Sequence, residues 1–335
     1  MKWIITGGCG FIGSNIAQRL KQSGGEAIVI DNISRPRVVE NRKWLKQKFS
    51  IDCIQIDILD KKALLEVFSN HSDASGIIHL AGQVSLLDSI SHPRNDFEIN
   101  AIGTLNILEC MSTYLPNSHL VFTSSNKVYG DLLDIEVRET NSRYELVNFN
   151  NGIDETFRIN PKGGYGVSKF SAELLINDWA ENYNLKCTIL RQSSVYGERQ
   201  FPTSDQGWAT YFTEQFINNK DFHINGNGKQ VRDLLYVGDL YNLINCIFTS
   251  GADAVGTFNV GGGQANSSSL LELFDTLQTL TGNSPIFTKG PTRNFDQKVF
   301  ISNNSLISSR IGWKPTVSYH DGLQALINWL EFSKV

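Results

Sequence analysis

The feature that most constrains the fold is a glycine-rich turn at the start of the chain. Lys2 to Thr6 predicts a short apolar strand, the motif Gly7-Gly8-Cys9-Gly10-Phe11-Ile12-Gly13 follows, and Ser14 to Lys21 has helical character. The glycines fit both GxGxxG and GxxGxxG. Glycines in such a turn let the backbone approach a pyrophosphate and let the helix pack on the strand. The helix N-terminus would then face the phosphates of a dinucleotide.

An acidic residue ends the second predicted strand at the distance that a dinucleotide fold requires. Ala27 to Ile30 leads into Asp31, 18 residues past Gly13. A carboxylate there accepts hydrogen bonds from the ribose hydroxyls and repels a 2′-phosphate, so NAD is favoured over NADP. Arg35 and Arg37 follow and weaken that preference. The alternative interpretation is a structural glycine turn that binds no cofactor.

Predicted strands and helices alternate over the first 190 residues. Further strands at 52–56, 76–82, 119–123 and 186–190 alternate with helices at 61–68, 94–114 and 170–183. This order predicts an α/β fold with a Rossmann-type doubly wound parallel sheet. Ligands bind beyond the carboxyl ends of the strands in such sheets. The alternation stops after Gly197, and no linker follows, so we expect two lobes between which the chain passes more than once.

A tyrosine and a lysine lie four residues apart in the stretch Asn160 to Lys169. Tyr165 and Lys169 would lie on one face of a helix. A neighbouring cation lowers the pKa of a tyrosine from its reference value of ~10 and so lets it exchange protons with a hydroxyl. On spacing alone, a packed ring and a solvated ammonium are the better interpretation. Ser125 follows a neighbouring strand and is the best candidate to hydrogen-bond the reacting hydroxyl.

Charge and composition exclude several classes of function. The 335 residues carry a net charge of −4 and a pI of about 5.9, which favours neither a nucleic-acid nor a membrane partner. No apolar run reaches the ~20 residues of a membrane span, and no signal peptide is evident, so we expect a cytoplasmic protein. The five cysteines are scattered and the histidines form no paired motif, so free thiols and no metal site are expected.

Three polar regions lie outside the regular alternation of strands and helices. The stretch from Gly130 to Tyr165 is either a functional loop with structure of its own or a solvated excursion. Residues 198–208 are dense in arginine, amide and aromatic groups. Arg199, Lys229 and Arg232 are natural phosphate ligands. Residues 226–230 alone would be interpreted as a surface turn, although glutamines there and in 198–208 could contact sugar hydroxyls or a base.

Together these motifs carry a family resemblance. Thr6 to Gly13, Ser124-Ser125 with Val128-Tyr129-Gly130, Tyr165 with Lys169, and Arg232-Asp233 with Val237-Gly238-Asp239 resemble the extended short-chain dehydrogenases/reductases that modify nucleotide sugars. The resemblance implies an NAD-binding Rossmann domain at 1–197 and 234–262. It also implies a smaller mixed α/β C-terminal lobe, at 198–233 and 263–335, that binds the nucleotide sugar. The catalytic residues implied are Ser125, Tyr165 and Lys169.

Three further stretches narrow the resemblance. Residues 125–132, 199–208 and 226–233 are similar to the family members that epimerise a CDP-activated deoxysugar at C2 through transient hydride transfer and a keto sugar. This implies tightly bound NAD, a CDP-sugar substrate, a homo-oligomer (dimer or tetramer) and a part in lipopolysaccharide O-antigen biosynthesis. The sequence departs from that pattern at Ser125, Gln192 and Gly164, where relatives have Thr, His and Pro.

The resemblance and the strand ends together imply two sets of binding residues. NAD would be bound by Gly7, Gly10, Phe11, Ile12, Gly13, Asp31, Asn32, Ser34, Arg35, Asp57, Ile58, Leu80, Ala81, Gln83, Asn100, Tyr165, Lys169 and Gln192. The nucleotide sugar would be bound by Ser85, Asn126, Lys127, Ser194, Arg199, Gln200, Gln206, Lys229, Arg232 and Arg293.

Three alternatives remain at this point. A 4-epimerase would use the same catalytic residues with another sugar pose. A 4,6-dehydratase is disfavoured, because those enzymes have an Asp-Glu pair where this chain has Asn126-Lys127. An NAD-binding regulatory protein without turnover would have no use for Ser125, Tyr165 and Lys169 together.

Overall fold

The computed structural model describes residues 1–84, 86–202, 207–293 and 296–332, and the side chains of residues 86–88 lie outside that description. The strands are β1 (Lys2–Thr6), β2 (Glu26–Asp31), β3 (Cys53–Gln55), β4 (Gly76–His79), β5 (His119–Ser125), β6 (Val137–Glu139), β7 (Tyr144–Leu146), β8 (Lys186–Gln192), β9 (Ser194–Tyr196), β10 (Phe222–Asn225), β11 (Val231–Tyr236), β12 (Gly256–Val260), β13 (Ser267–Ser269), β14 (Phe287–Gly290) and β15 (Val299–Phe300).

The helices are α1 (Phe11–Gln22), α2 (Val38–Phe49), α3 (Lys61–Asn70), α4 (Leu86–Ser91), α5 (Pro93–Asp96), α6 (Gly103–Tyr114), α7 (Gly163–Tyr183), α8 (Trp208–Ile217), α9 (Val237–Ser250), α10 (Leu270–Thr281), α11 (Ser305–Ile311) and α12 (Tyr319–Phe332). A π-helical turn, Phe97–Ile102, joins α5 to α6.

The chain forms two compact units. Unit 1 contains Met1–Ser125, Gly163–Arg191 and Tyr241–Phe258. Unit 2 contains Asn126–Lys162, Gln192–Leu240 and Asn259–Val335. The assignment of NAD to one lobe and the nucleotide sugar to the other stays a prediction.

Unit 1 contains a seven-stranded sheet in the order β12-β8-β5-β4-β1-β2-β3, and β5, β4, β1, β2 and β3 run parallel. Strand β1, in the interior of the sheet, is apolar because both of its faces are covered: Trp3, Ile4 and Ile5 are fully buried. Helices α3, α6 and α7 contribute to the core on this sheet through residues such as Leu64 and Ile107. The predicted Rossmann-type parallel sheet is therefore confirmed.

The long helix predicted at 94–114 is interrupted. Its first part is the short helix α5, and a π-helical turn follows before α6 begins at Gly103. π-helical turns are uncommon and occur frequently at functional sites. The turn contains Asn100, whose side chain bonds to groups outside the helix. The spacing of apolar residues in the sequence cannot reveal such a turn, because a π-helical turn shifts that spacing by only one residue.

Unit 2 is built on β11, which pairs with β13, β15 and β9. Residues 226–230, interpreted as a turn from the sequence, are loop, and Val231 begins the strand. A core rich in aromatic rings lies beside the sheet, where Phe212, Phe222 and Phe274 pack with ring centroids 5.0 to 5.2 Å apart. Such rings bury large apolar areas and stabilise a small lobe.

The polar stretch before Tyr165 carries structure of its own. Strands β6 and β7 pair as an antiparallel hairpin. Its partly buried residues Val137, Tyr144 and Leu146 pack against a small cluster of Val231, Val299 and Ile301. The region is therefore not only a solvated excursion.

Asp239, part of the motif Val237-Gly238-Asp239, fixes a segment that is distant in the sequence. Helix α9 begins at Val237, so Asp239 lies in its first turn. The buried Asp239 carboxylate accepts hydrogen bonds from the backbone N–H groups of Thr316 and Val317 and from the Thr316 hydroxyl. It thereby fixes the segment that leads into α12. Within the described part of the chain, no helix combines the length and the apolar character that spanning a bilayer requires.

Candidate active site

The predicted tyrosine–lysine pair lies near the start of α7 in unit 1. The Lys169 side chain is almost fully buried, at 3% exposed. Its ammonium donates a hydrogen bond of 2.9 Å to the carbonyl of Thr123 in β5 and lies 4.6 Å from the centre of the Phe122 ring. Tyr165 lies one helical turn before Lys169 on the same face. The lysine is therefore held against the carboxyl end of β5 and is not a solvated surface group.

Ser125 and Tyr165 meet at this strand end. The side chains of the two residues share a hydrogen bond, which lowers the pKa of the Tyr165 phenol. Burial acts more strongly in the opposite direction, and the pKa of Tyr165 is raised overall. The carboxylate of Asp96 raises this pKa further, and the guanidinium of Arg35 lowers it. The spacing predicted a lowered pKa for Tyr165, but the loss of water around the ring raises it.

Lys169 is perturbed in the same environment. Burial lowers the pKa of its ammonium to about 8, and the carboxylate of Glu173 counteracts that effect. Lys169 consequently retains its proton at neutral pH but gives it up more easily than an exposed lysine does. A serine hydroxyl, a phenol and an ammonium with a depressed pKa therefore adjoin one strand end, which is an arrangement suited to proton exchange.

A second contact fixes the backbone of Tyr165. Its N–H donates a hydrogen bond of 2.7 Å to the hydroxyl of Ser89, which in turn hydrogen-bonds to the carboxylate of Asp96. Both partners are buried. Gly164 permits this approach, because a Cβ at that position would lie 2.8 Å from both the Ser89 hydroxyl and an Asp96 oxygen.

The glycine-rich turn has the shape of a phosphate cradle. Gly7 adopts φ +66° and a Cβ there would lie 2.8 Å from the backbone N of Ala81. A Cβ on Gly13 would lie 2.4 Å from the Gly7 carbonyl, so α1 packs directly on the turn. Gly10 precedes α1 with extended backbone and has no side chain to cap the helix. The first N–H groups of α1, at Phe11 and Ile12, are therefore well suited to a phosphate.

Acidic and amide groups lie at the neighbouring strand ends. The Asp31 carboxylate at the end of β2 accepts from the N–H groups of Cys9, at 3.0 Å, and Ile33, at 2.9 Å. Asp57 follows β3 and accepts from the Asn32 side chain at 2.8 Å. Ser34 donates to Asn32 in turn. Acceptors next to the glycine turn fit the ribose of a dinucleotide.

The turn after β4 is held close to Lys169. Asn100 accepts from the N–H of Gln83 at 2.9 Å and donates to the Ser168 hydroxyl at 3.0 Å. A Cβ on Gly82 would lie 2.9 Å from the Asn100 oxygen and 3.2 Å from the Lys169 nitrogen. The Ala81 N–H bonds to the Thr6 hydroxyl at 3.3 Å. The space beside Gly82 has no room for a side chain on that residue. The bare backbone at this turn would let a cofactor approach closely.

Most of the predicted NAD residues lie at the glycine-rich turn or just after β2, β3 and β4 in unit 1, and their contact with NAD stays a prediction. Leu80 donates its N–H to the Thr6 carbonyl, and Ile58 is part of the core under the site. Gln192, the remaining predicted NAD residue, belongs to unit 2 at the end of β8. The Gln192 side-chain nitrogen is buried and, among the described groups, has no hydrogen-bond partner. The residues present in unit 1 fit a dinucleotide.

Several predicted sugar-nucleotide residues cluster in unit 2. Arg232, with a side chain 11% exposed, donates to Asp296 at 2.6 Å, and Lys127 lies 3.8 Å from the same carboxylate. Burial first, and then the charges of Arg232 and Arg293, lower the pKa of Lys127 to about 8. Asn126 donates to Gln297 at 3.1 Å. The charges of Arg293 and Asp131 also act on Lys127, so three cations and two carboxylates together leave this region positively charged.

Other predicted residues have structural partners. The Lys229 ammonium bonds to Glu139 at 2.7 Å and to the Thr140 carbonyl at 2.8 Å, so it attaches the β6–β7 hairpin. Arg199 adopts φ +64° and lies 5.9 Å from the Trp329 ring centre. Gln200 hydrogen-bonds to the Thr210 hydroxyl, and Ser194 accepts from the Trp208 indole at 3.2 Å. The predicted residues Ser85 and Gln206 lie outside the described residues.

Two acidic residues at these sites belong to none of the motifs named above. Glu173 lies one turn beyond Lys169, and its position at i+8 from Tyr165 could have revealed it. Asp296 balances Lys127 and Arg232 but stands in no recognisable motif. Among the described residues, no group of three or more His, Cys, Asp or Glu side chains is placed to hold a metal ion.

Comparisons with known proteins agree with this geometry. The family model "NAD dependent epimerase/dehydratase family" matches residues 3–261. The CDP-paratose 2-epimerase of Salmonella typhi is 40% identical, over 98% of this chain and 99% of that protein. The structure of the Thermotoga maritima UDP-glucose 4-epimerase with UDP-glucose has a TM-score of 0.84 at 29% identity and covers 100% of both chains. The Thermus thermophilus UDP-glucose 4-epimerase, solved with NAD, has a TM-score of 0.82 at 27% identity and covers 99% of both chains.

These matches span nearly the whole chain and both of its units. They identify NAD as the cofactor and a nucleotide sugar as the class of substrate. The chain therefore belongs to the NAD-dependent epimerase/dehydratase family, whose members act on nucleotide sugars.

Proposed function

We propose that this protein is a CDP-paratose 2-epimerase. The observation that carries the proposal is the 40% identity to the Salmonella typhi enzyme over nearly the full length of both proteins. Asn126-Lys127 directly after Ser125 supports it, because a dehydratase needs acidic groups there to eliminate water. A homo-oligomeric state and a part in O-antigen biosynthesis stay predictions.

The proposed reaction inverts a carbon that carries a hydroxyl and a non-acidic hydrogen. When bound, NAD supplies a hydride acceptor that later returns the hydride to the other face of the sugar. Tyr165 would take the proton of the C2 hydroxyl and give it back after the sugar has turned. Ser125, already hydrogen-bonded to Tyr165, would donate to the oxygen as its charge changes. Lys169 would keep a positive charge near the phenol.

Tyr165 begins this cycle from an unfavourable protonation state. Because burial raises its pKa, the phenol holds its proton at neutral pH in the absence of further cations. The Arg35 guanidinium lowers the pKa of Tyr165, and the Lys169 ammonium, held by Thr123 one helical turn beyond the tyrosine, would also favour the phenolate. The efficiency of Tyr165 as a base would therefore depend on the charge of Lys169.

The nucleotide would be bound by unit 2. Arg232 and Lys127 share Asp296 and lie within a group of net positive charge, which suits a diphosphate. Arg293 and Asn126 belong to the same proposed set. Arg199, Gln200, Ser194 and Lys229 are proposed to shape the sugar or base subsite from the segments that carry them.

A 4-epimerase is the second candidate function. It is favoured by the similarity to the Thermotoga maritima enzyme, which was solved with UDP-glucose. The same three catalytic residues would serve it, because only the carbon presented to them differs. A non-catalytic NAD-binding protein is the remaining alternative and would turn over neither sugar.

The test is incubation of the purified protein with CDP-paratose and, separately, with UDP-glucose and dTDP- and GDP-sugars, with products read by NMR. We expect inversion at C2 of CDP-paratose, no loss of water, and no turnover by Tyr165→Phe with NAD still bound. Inversion at C4 of UDP-glucose without any reaction of CDP-paratose would refute the proposed substrate. Full activity of Tyr165→Phe would refute the proposed role of the tyrosine.

A further inference from the structure

The face of α7 that carries Tyr165 and Lys169 carries a third polar residue. Glu173 follows Lys169 by four residues, so the three side chains succeed one another along one side of the helix. Glu173 is fully buried. A buried carboxylate is costly unless it is paired, so its partners indicate what it does.

Two strands of the sheet hold the Glu173 carboxylate. Arg191 in β8 reaches both of its oxygens, with Nε at 3.2 and 3.1 Å and Nη2 at 2.8 Å. Ser124 in β5 hydrogen-bonds to Oε1. Buried ion pairs often contribute little to stability relative to apolar residues of the same size. Stability alone is therefore a weak reason to place such a pair beside a catalytic lysine.

Ser124 connects Glu173 to the reacting groups. It lies between Thr123, whose carbonyl accepts from Lys169, and Ser125, which hydrogen-bonds to Tyr165. The hydrogen bond from Ser124 thus fixes the strand segment that supplies both contacts. The Glu173 carboxylate acts on the same lysine through its charge as well.

Among the described residues, the other groups that face Lys169 do not supply a negative charge. Strand β4 contributes His79, which burial keeps neutral by lowering its pKa to about 3. Strand β5 contributes the Thr123 carbonyl and the Phe122 ring. The π-helical turn contributes the Asn100 amide, near the same glycine as the Lys169 nitrogen.

The groups that face Tyr165 are of mixed charge. They are the Ser125 hydroxyl from β5, the Asp96 carboxylate from α5 and the Arg35 guanidinium from the segment after β2. Of the acidic groups around the two residues, Asp96 acts on the tyrosine and Glu173 on the lysine.

We propose that Glu173 is a positioning residue that keeps the Lys169 ammonium charged and holds the Thr123–Ser125 segment in place through Ser124. The inference rests on the proposed roles of Tyr165 and Lys169. In this proposal, Lys169 and Tyr165 interact across one helical turn and titrate as a pair, so that one proton can leave from either group. Only the form with a charged lysine and a phenolate can accept the substrate proton. Without the Glu173 charge, the proton would leave Lys169 more readily and the phenolate form would become rarer.

Glu173→Gln keeps the shape of the side chain and an acceptor for Ser124 but leaves the Arg191 guanidinium buried without a counter-charge. With that variant alone, an effect on folding could not be separated from an effect on the charge of Lys169. The deciding protein is the double variant Glu173→Gln/Arg191→Met, which removes one charge of each sign. Glu181→Gln, an exposed carboxylate near the end of the same helix, is the matched control.

The measurement is a pH titration of the NAD-loaded protein, read by the ultraviolet absorbance of phenolate. Each protein is compared with its own Tyr165→Phe version, so that the difference reports Tyr165 alone. In the double variant we expect the phenolate to appear about one pH unit higher, which corresponds to a tenfold loss of the phenolate form. With CDP-paratose, kcat near neutral pH should fall about tenfold and KM change less than about twofold. Glu181→Gln should behave like the unchanged protein.

A double variant that folds, titrates Tyr165 as the unchanged protein does and retains its kcat would overturn the inference and make Glu173–Arg191 a purely structural pair. The absorbance titration needs no substrate. If CDP-paratose is not turned over but the phenolate shift occurs, the proposed substrate fails and the role of Glu173 stands. If CDP-paratose is turned over without any shift, the role of Glu173 fails and the proposed function stands.

Discussion

The packing of α1 on the glycine-rich turn gives the sharpest prediction about NAD binding. A Cβ on Gly13 would lie 2.4 Å from the Gly7 carbonyl and 2.5 Å from the Gly8 Cα. Both neighbours are backbone atoms, so Gly13→Ala must move the helix away from the turn by at least the 0.6 Å that separates 2.4 Å from a tolerable 3.0 Å. Overpacking of this kind costs about 1–3 kcal/mol.

The displaced groups are those expected to bind the pyrophosphate. If this strain energy reduces the free energy of NAD binding in full, the Kd for NAD rises by about 5- to 150-fold. The assay is isothermal titration calorimetry with NAD on protein stripped of nucleotide, together with urea unfolding of the same samples. Gly25→Ala is the control, because its Cβ would meet the flexible Leu20 side chain at 2.2 Å, beyond the other end of α1.

We expect Gly25→Ala to lower the free energy of unfolding while it leaves the Kd for NAD within about twofold. Gly13→Ala should change both quantities. If Gly13→Ala binds NAD as tightly as the unchanged protein, the glycine turn is not the pyrophosphate site and the reasoning is refuted.

Three further predictions test other contacts. Gly164→Ala places a methyl group 2.8 Å from the Ser89 hydroxyl, so the Tyr165 N–H loses its hydrogen-bond partner. We expect kcat to fall about tenfold or more with little change in KM, and an unchanged kcat would contradict this. The ion pair between Lys229 and Glu139 is partly exposed, so Lys229→Ala and Glu139→Gln should each lower the free energy of unfolding in urea by less than about 1 kcal/mol. The double variant should lose no more than either single variant, because each substitution already removes the same pair. The pKa of His79 is about 3 in the folded protein, so the free energy of unfolding should decline as pH falls below about 6.5, by up to about 1.4 kcal/mol per pH unit. His79→Gln should flatten that decline, and an equal slope in both proteins would argue against a neutral, buried His79.

The sequence predicted the parts of the structure that depend on local patterns. The glycine turn, the strand ends at Asp31 and Asp57, and the tyrosine–lysine spacing all follow from short motifs with a direct geometric meaning. The family resemblance, which rests on the same motifs, was confirmed over the full chain.

Features that depend on tertiary contacts were not accessible in this way. Asn100 in the π-helical turn bonds to Gln83 and Ser168, which are distant in sequence, and no local pattern reveals these contacts. The pKa of Tyr165 was expected to fall, but burial, which spacing does not reveal, raises it. Lys229 was named as a natural phosphate ligand, and the sequence did not reveal that its ammonium pairs with Glu139 of the β6–β7 hairpin.

The central claim is that Tyr165 and NAD invert C2 of a CDP-activated sugar by moving one hydrogen off the carbon and back. The most direct measurement uses CDP-paratose labelled with deuterium at C2, incubated in ordinary water with the NAD-loaded protein and examined by NMR. We predict a product inverted at C2 that retains the deuterium at that carbon. Loss of the deuterium to solvent, or inversion at C4 with C2 unchanged, would contradict the account.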